Sequence, residues 1–167
     1  MSIWGIWRQD GGRRQVQRER VMGVHDRLVD HLLKLTGSGS IGIPDEYELR
    51  FEMMVFFASY ILYSFRDDAQ FSQDFWEVVF EGFQESLRIR GVTDIRMAAR
   101  MKQTMQDATG RRNVYVVAWE NGDQEGLRRA VARNILCGAE VDDARIDNIL
   151  LALEDVPDMG KNCDNVE

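Results

Sequence analysis

From Arg14 to Leu153 the apolar positions return every three or four residues, the spacing that puts them on one face of an α-helix. The pattern predicts about six helices. The first runs from Arg14 to Leu35, with Val21, Val24, Leu28, Leu32 and Leu35 on its inward face. The Gly- and Ser-rich segment from Thr36 to Ile43 ends it, and Pro44 with Asp45 and Glu46 opens the second, because proline suits a first helical turn and acids complement its dipole. This second helix, from Pro44 to Phe65, is apolar nearly all round, so it is expected at the centre.

The third helix, from Ala69 to Arg90, turns Phe71, Phe75, Val78, Val79, Phe83 and Leu87 inward and stops at Gly91. Thr93 or Asp94 caps the fourth. Its face of Met97, Met101, Met105 and Ala108 would carry Arg112 into the core if the helix continued, so a bend or break is expected near Gly110 before Val114–Trp119 resumes. A fifth helix from Asp123 to Leu136 points Leu127, Val131, Ile135 and Leu136 inward, and a sixth from Val141 to Leu153 does so with Ile146, Ile149, Leu150 and Leu153. Only Asn113–Trp119 also reads as a strand, and one strand without a partner makes no sheet. The expectation is an all-α fold: one domain over residues 14–156, a flexible segment over 1–13 with Trp4 and Trp7, and an acidic flexible tail over 157–167.

Composition fits that picture. Hydrophobic residues make up 44% of 167, enough for a full core, and two prolines leave room for long helices. The formal charge of -7 repels phosphate backbones and anionic lipid unless a basic patch intervenes. Cys137 and Cys163 lack metal-ligand spacing; a reducing compartment is the plain expectation, with a disulfide between the two as the alternative. Residues 1–12 lack the apolar core of a secretory signal, and the apolar stretch Phe51–Phe65 is too short to cross a bilayer.

Catalytic chemistry finds little support. His25 and His31 stand about 240° apart on a helix and cannot share one ion unaided, and no Glu-x-x-His pair is present. No metal or cofactor is expected. Glu77, Glu81 and Glu85 follow one helical edge, where a solvated face accounts for them better than a pair of catalytic acids. Phosphate-binding glycine loops and dinucleotide fingerprints are absent from the sequence.

One charge pattern departs from the rest. Between residues 88 and 112 stand Arg88, Arg90, Arg96, Arg100, Lys102, Arg111 and Arg112, against Asp94 and Asp107. Arg96, Arg100 and Arg111 fall within about 60° on a continuous helix. Two accounts stand side by side: an internal match with the acids Asp142, Asp143 and Asp147 of the last helix, or a docking stripe for an acidic partner, a nucleic-acid backbone or lipid headgroups. Specific DNA recognition is not expected.

Arg50-Phe-Glu-Met53 in an apolar helix, the aromatic run Phe75–Leu87 leading into Arg88-Ile-Arg-Gly-Val-Thr-Asp94, Arg100-Met-Lys102, Gly110-Arg111 with Tyr115, and Arg133-Asn134 resemble the ubiquinol–cytochrome c chaperones from Arg50 to Ile135. The resemblance implies a non-enzymatic assembly factor that helps newly made cytochrome b enter ubiquinol–cytochrome c reductase, with a small partner protein and near the ribosome. It implies a bacterial cytoplasmic protein that reaches the inner face of the membrane. On this basis Arg96, Arg100, Lys102, Arg111 and Arg112 are expected to dock a partner, with Tyr115 flanking them. A binding module for ribosomal RNA or anionic membrane through the same stripe is the alternative.

Overall fold

The computed structural model describes residues 3–37, 46–136 and 143–156, with side chains from Arg14 onward. Among these residues the architecture is all-α: α1 (Ile3–Gly37), α2 (Tyr47–Ser64), α3 (Ala69–Ile89), α4 (Asp94–Asn121), α5 (Gln124–Asn134) and α6 (Asp143–Leu151), closed by a 3-10 turn (Ala152–Asp155). The Gly-Ser segment with Pro44, the stretch holding Cys137, Val141 and Asp142, and the tail with Cys163 lie outside the described residues, as do the side chains of Trp4 and Trp7.

The apolar positions of α2 decide the arrangement. Met53, Val55, Phe56, Phe57, Ile61 and Leu62 are all buried and point in different directions, so neighbours must cover several sides. Helices α1, α3 and α4 do so. Helix α1 supplies Val21, Val24, Leu28 and Leu32, and α3 supplies Phe71, Phe75, Val79 and Phe83. Between α2 and α4 lies an aromatic cluster: Tyr115 meets Phe56 edge-on at 5.0 Å between ring centroids, and Trp119 sits 5.3 Å from Tyr60. Leu127, Val131 and Ile135 of α5, then Ile146 and Ile149 of α6, extend the same core.

Local chemistry fixes the corners. The Asp68 carboxylate accepts from the Phe71 backbone N–H at 2.9 Å and caps α3. Gly122 takes φ +62° after α4, a left-handed conformation that glycine adopts without the penalty of a Cβ. Asp123 then caps α5 through the Gly126 N–H at 2.8 Å, and a Cβ on Gly126 would lie 2.1 Å from the Asp123 carboxylate. One arginine ties α5 to α6: Arg128 reaches Asp143 at 3.0 Å and also pairs with Asp147.

Three expectations need correction. Helix α1 passes through Gly11 and Gly12 and begins well before Arg14; two glycines weaken a helix by roughly 1 kcal/mol each without ending it. Helix α4 does not break near Gly110 but continues to Asn121. The arginines there are accommodated in place: Arg111 meets an acid from α2, and Arg112 lies half-buried on the flank of the helix. Met105, expected inward, is 47% exposed, because α4 turns Met97, Ala108 and Tyr115 to the core and leaves Met105 on the edge of that face.

Replacing the fully buried Phe56 by alanine should lower unfolding free energy by about 3–5 kcal/mol. Val117→Ala on the outward face of α4 should change it by less than about 0.5 kcal/mol. Urea denaturation of the two variants checks the orientation of α4.

Candidate functional site

The basic residues of α4 separate into three environments. Arg111 turns toward α2, where its Nε donates to the Glu52 carboxylate at 2.5 Å and its guanidinium lies 5.5 Å from the centre of the Phe51 ring. A second acid, Asp107, stands one turn before it at 4.0 Å. Glu52 is only 8% exposed within the apolar stretch of α2. Burial pushes its carboxyl above the usual carboxylate range, while the Arg111 hydrogen bond and charge pull back. Arg111 is therefore a structural cation that lets an acid sit inside the bundle.

Arg112 lies about 100° further round. Its side chain borders a groove of about 350 Å³ between α2, α3 and α4, with Leu62, Trp76, Phe80 and Met105 as apolar wall and Gln73 and Glu77 at the rim. The Arg112 Nε is buried there with no hydrogen-bond partner among the described residues. The buried Nε itself has no surface a ligand could reach, and what the groove offers a ligand is its apolar wall with the Arg112 side chain at the border. Sequence periodicity does not reveal it, because its walls come from three helices.

Arg96, Arg100 and Lys102 form the third environment. All three are exposed, and no ion pair engages them among the described residues. Of the acids that could pair with the stripe, Asp143 and Asp147 hold Arg128 of α5, and Asp142 lies outside the described residues. The five cations therefore do not make one continuous surface.

Tyr115 does not flank any patch. It has no exposed surface; its hydroxyl accepts from the Asn134 side-chain amide at 2.9 Å, and burial pushes its pKa up to about 12. Its phenol belongs to the α2–α4 core because Phe56 and Trp119 enclose the ring.

The other sequence candidates are dispersed. The His31 Nε2 lies 3.2 Å from the Ala152 carbonyl oxygen, whereas His25 stands beside Asp26. Among the described residues, no three His, Cys, Asp or Glu side chains gather as metal ligands. Glu77, Glu81 and Glu85 are exposed, with Glu81 3.7 Å from Arg18 and Glu85 3.5 Å from Arg88. A further apolar pocket of about 230 Å³ lies between α1, α2 and α3, lined by Leu32, Leu33, Phe51, Met54 and Phe83 with His25 at its side.

A family model described as ubiquinol-cytochrome C chaperone matches residues 40–153, which take in α2 to α6. The chain belongs to that family. No curated protein and no solved structure matches the chain. The match reaches beyond the Arg50–Ile135 span on which the resemblance rests and leaves the whole of α1 outside. Family membership gives the chain a chaperone's part in ubiquinol–cytochrome c reductase assembly and brings protein partners with it. Among the described residues, no helix is long and apolar enough to cross a membrane.

Removing Arg111 strands the buried Glu52 carboxylate, and Arg111→Ala should cost about 2–3 kcal/mol of stability, less than a fully buried pair because the arginine is partly exposed. Glu52→Gln behaves differently with pH. The raised folded-state pKa means that ionisation of Glu52 disfavours the fold, and glutamine mimics its neutral form. The variant's melting temperature relative to wild type should therefore rise between about pH 4 and pH 7. Thermal melts across that range read the sign directly.

Proposed function

We propose that the protein is a non-enzymatic assembly chaperone that holds newly made cytochrome b, or a small assembly partner, while ubiquinol–cytochrome c reductase is built. The observation that carries this reading is the family match over residues 40–153. The Arg112 groove supports it with a place to hold a client. An apolar side chain from a client helix would enter between Trp76, Phe80 and Met105, and a carboxylate one turn away would accept from Arg112. Methionine suits such a wall, since its flexible thioether adapts to different partners. No chemistry on the client is needed. The work would take place in the cytoplasm, at the inner face of the membrane into which cytochrome b is inserted.

Arg96, Arg100 and Lys102 remain available to this role as exposed cations that steer an acidic partner toward the protein. Arg111 and Tyr115 are assigned to the core instead. The alternative of RNA or lipid bound along a single stripe is weakened, because Arg111 is committed to Glu52 and Arg112 turns into the groove.

The groove is tested by a crosslinked pull-down from native membranes with wild-type bait and with Met105→Glu, Arg112→Glu. Wild type should recover cytochrome b or its assembly partners, and the folded double variant should lose at least about tenfold of that signal. Equal recovery by both baits would remove the groove from the mechanism. Deleting the gene should lower assembled reductase while other membrane complexes persist, and an unchanged reductase level would overturn the chaperone role itself.

A further inference from the structure

The corner where α3 gives way to α4 carries two isoleucines that neither the core nor the client groove uses. Ile89, the last residue of α3, is 79% exposed, and Ile95, the second of α4, is 94% exposed. Gly91, at φ +81°, turns the chain between them. The first turns of α4 stand clear of the bundle: Ile95, Arg96, Ala98, Ala99, Arg100 and Lys102 are all exposed, and among residues 94–100 Met97 alone is buried.

Charge surrounds these two isoleucines. Arg88 and Arg90 lie on the α3 side, each with an acid at 3.5 Å, Glu85 and Glu48 respectively. Arg90 also stacks over the Tyr47 ring, 4.0 Å from its centre. On the α4 side Arg96, Arg100 and Lys102 have no ion pair among the described residues, and Asp94 is the one acid within that stretch. A chain of net charge -7 thus presents three cations without an ion pair beside the two most exposed large aliphatic side chains among the described residues.

We propose that this corner docks on an anionic lipid surface, with Ile89 and Ile95 entering the boundary between headgroups and acyl chains and with Arg96, Arg100 and Lys102 among the lipid phosphates. The chemistry favours lipid over the two other polyanions. A convex tip bearing branched aliphatic side chains enters a deformable medium readily, whereas a protein partner would need a matching cavity. RNA gains nothing from two isoleucines, and the aromatic ring at this corner, Tyr47, is already stacked against Arg90 rather than offered to a base. Each basic side chain at an anionic surface raises partitioning about fivefold, so three unpaired ones give roughly a hundredfold preference over neutral lipid. The acidic remainder of the chain would orient the molecule with this corner toward the membrane.

The inference is independent of the client groove, and its test uses the purified full chain with no client present. Co-sedimentation is measured with phosphatidylcholine vesicles and with vesicles containing about a third phosphatidylglycerol. Binding is expected only to the anionic vesicles and should fall away at about 0.5 M salt. Ile89→Ser with Ile95→Ser should weaken it about tenfold with an unchanged melting temperature, since both side chains are already in water. Arg96→Glu with Arg100→Glu should abolish it. Equal binding to neutral vesicles, or no binding to either, would overturn the assignment, as would undiminished binding by the double isoleucine variant. If wild type ignores vesicles but shifts a structured RNA in a manner lost with Arg96→Glu, Arg100→Glu, the corner is a nucleic-acid contact instead.

Discussion

Helix α2 has almost no face that water can accept, and the other helices are arranged by that constraint. Its buried residues span Glu52 to Leu62 with hardly a gap, so an ordinary two-helix contact would leave much of its surface wet. Helices α1, α3 and α4 therefore pack around it and contribute the inner faces of their own amphipathic patterns. The carboxylate caught in this enclosure, Glu52, is tolerated because α4 brings a partly exposed guanidinium to it. Loss of that match would leave a carboxylate among phenylalanines.

The same constraint explains which features could be foreseen from sequence. Inward faces of α1, α3, α5 and α6 follow from spacing alone, because each helix has a single apolar stripe whose direction is unambiguous: Val21, Phe75, Leu127 and Ile149 are all buried. The central place of α2 was legible for the opposite reason, its lack of any polar face. Helix α4 was harder. It is long and mixed, and Gly110 with two arginines resembles a break when α4 is considered alone. The compensating acid lies 59 residues earlier, and no local pattern reports a pairing across that separation. Tyr115 misled similarly: a tyrosine beside arginines suggests a surface, until Phe56, Trp119 and Asn134 are seen to enclose it.

Function divides between membership and geometry. Residues 40–153 tie the chain to the chaperones of ubiquinol–cytochrome c reductase. What the bundle adds is a division of labour among cations that the sequence presents as one run. Arg111 serves the fold, Arg112 faces a groove, and Arg96, Arg100 and Lys102 remain in solvent. Charge density along a helix therefore says little until each side chain's depth is known, since a half-buried arginine is engaged differently from one in water.

The clasp at Arg128 has a separate consequence. Asp143 and Asp147 are one turn apart on α6, where like charges repel, and nine residues are too few for a helix to persist unaided. One guanidinium on α5 holds both carboxylates and removes that repulsion, but it does so at the surface, where dissolved ions compete. Helix α6 is thus conditional on α5 in a way that α2 is not conditional on any single neighbour. The amide hydrogens of α6 are therefore expected to exchange sooner as ionic strength rises, while Ile146 and Ile149 keep the helix on the shared core.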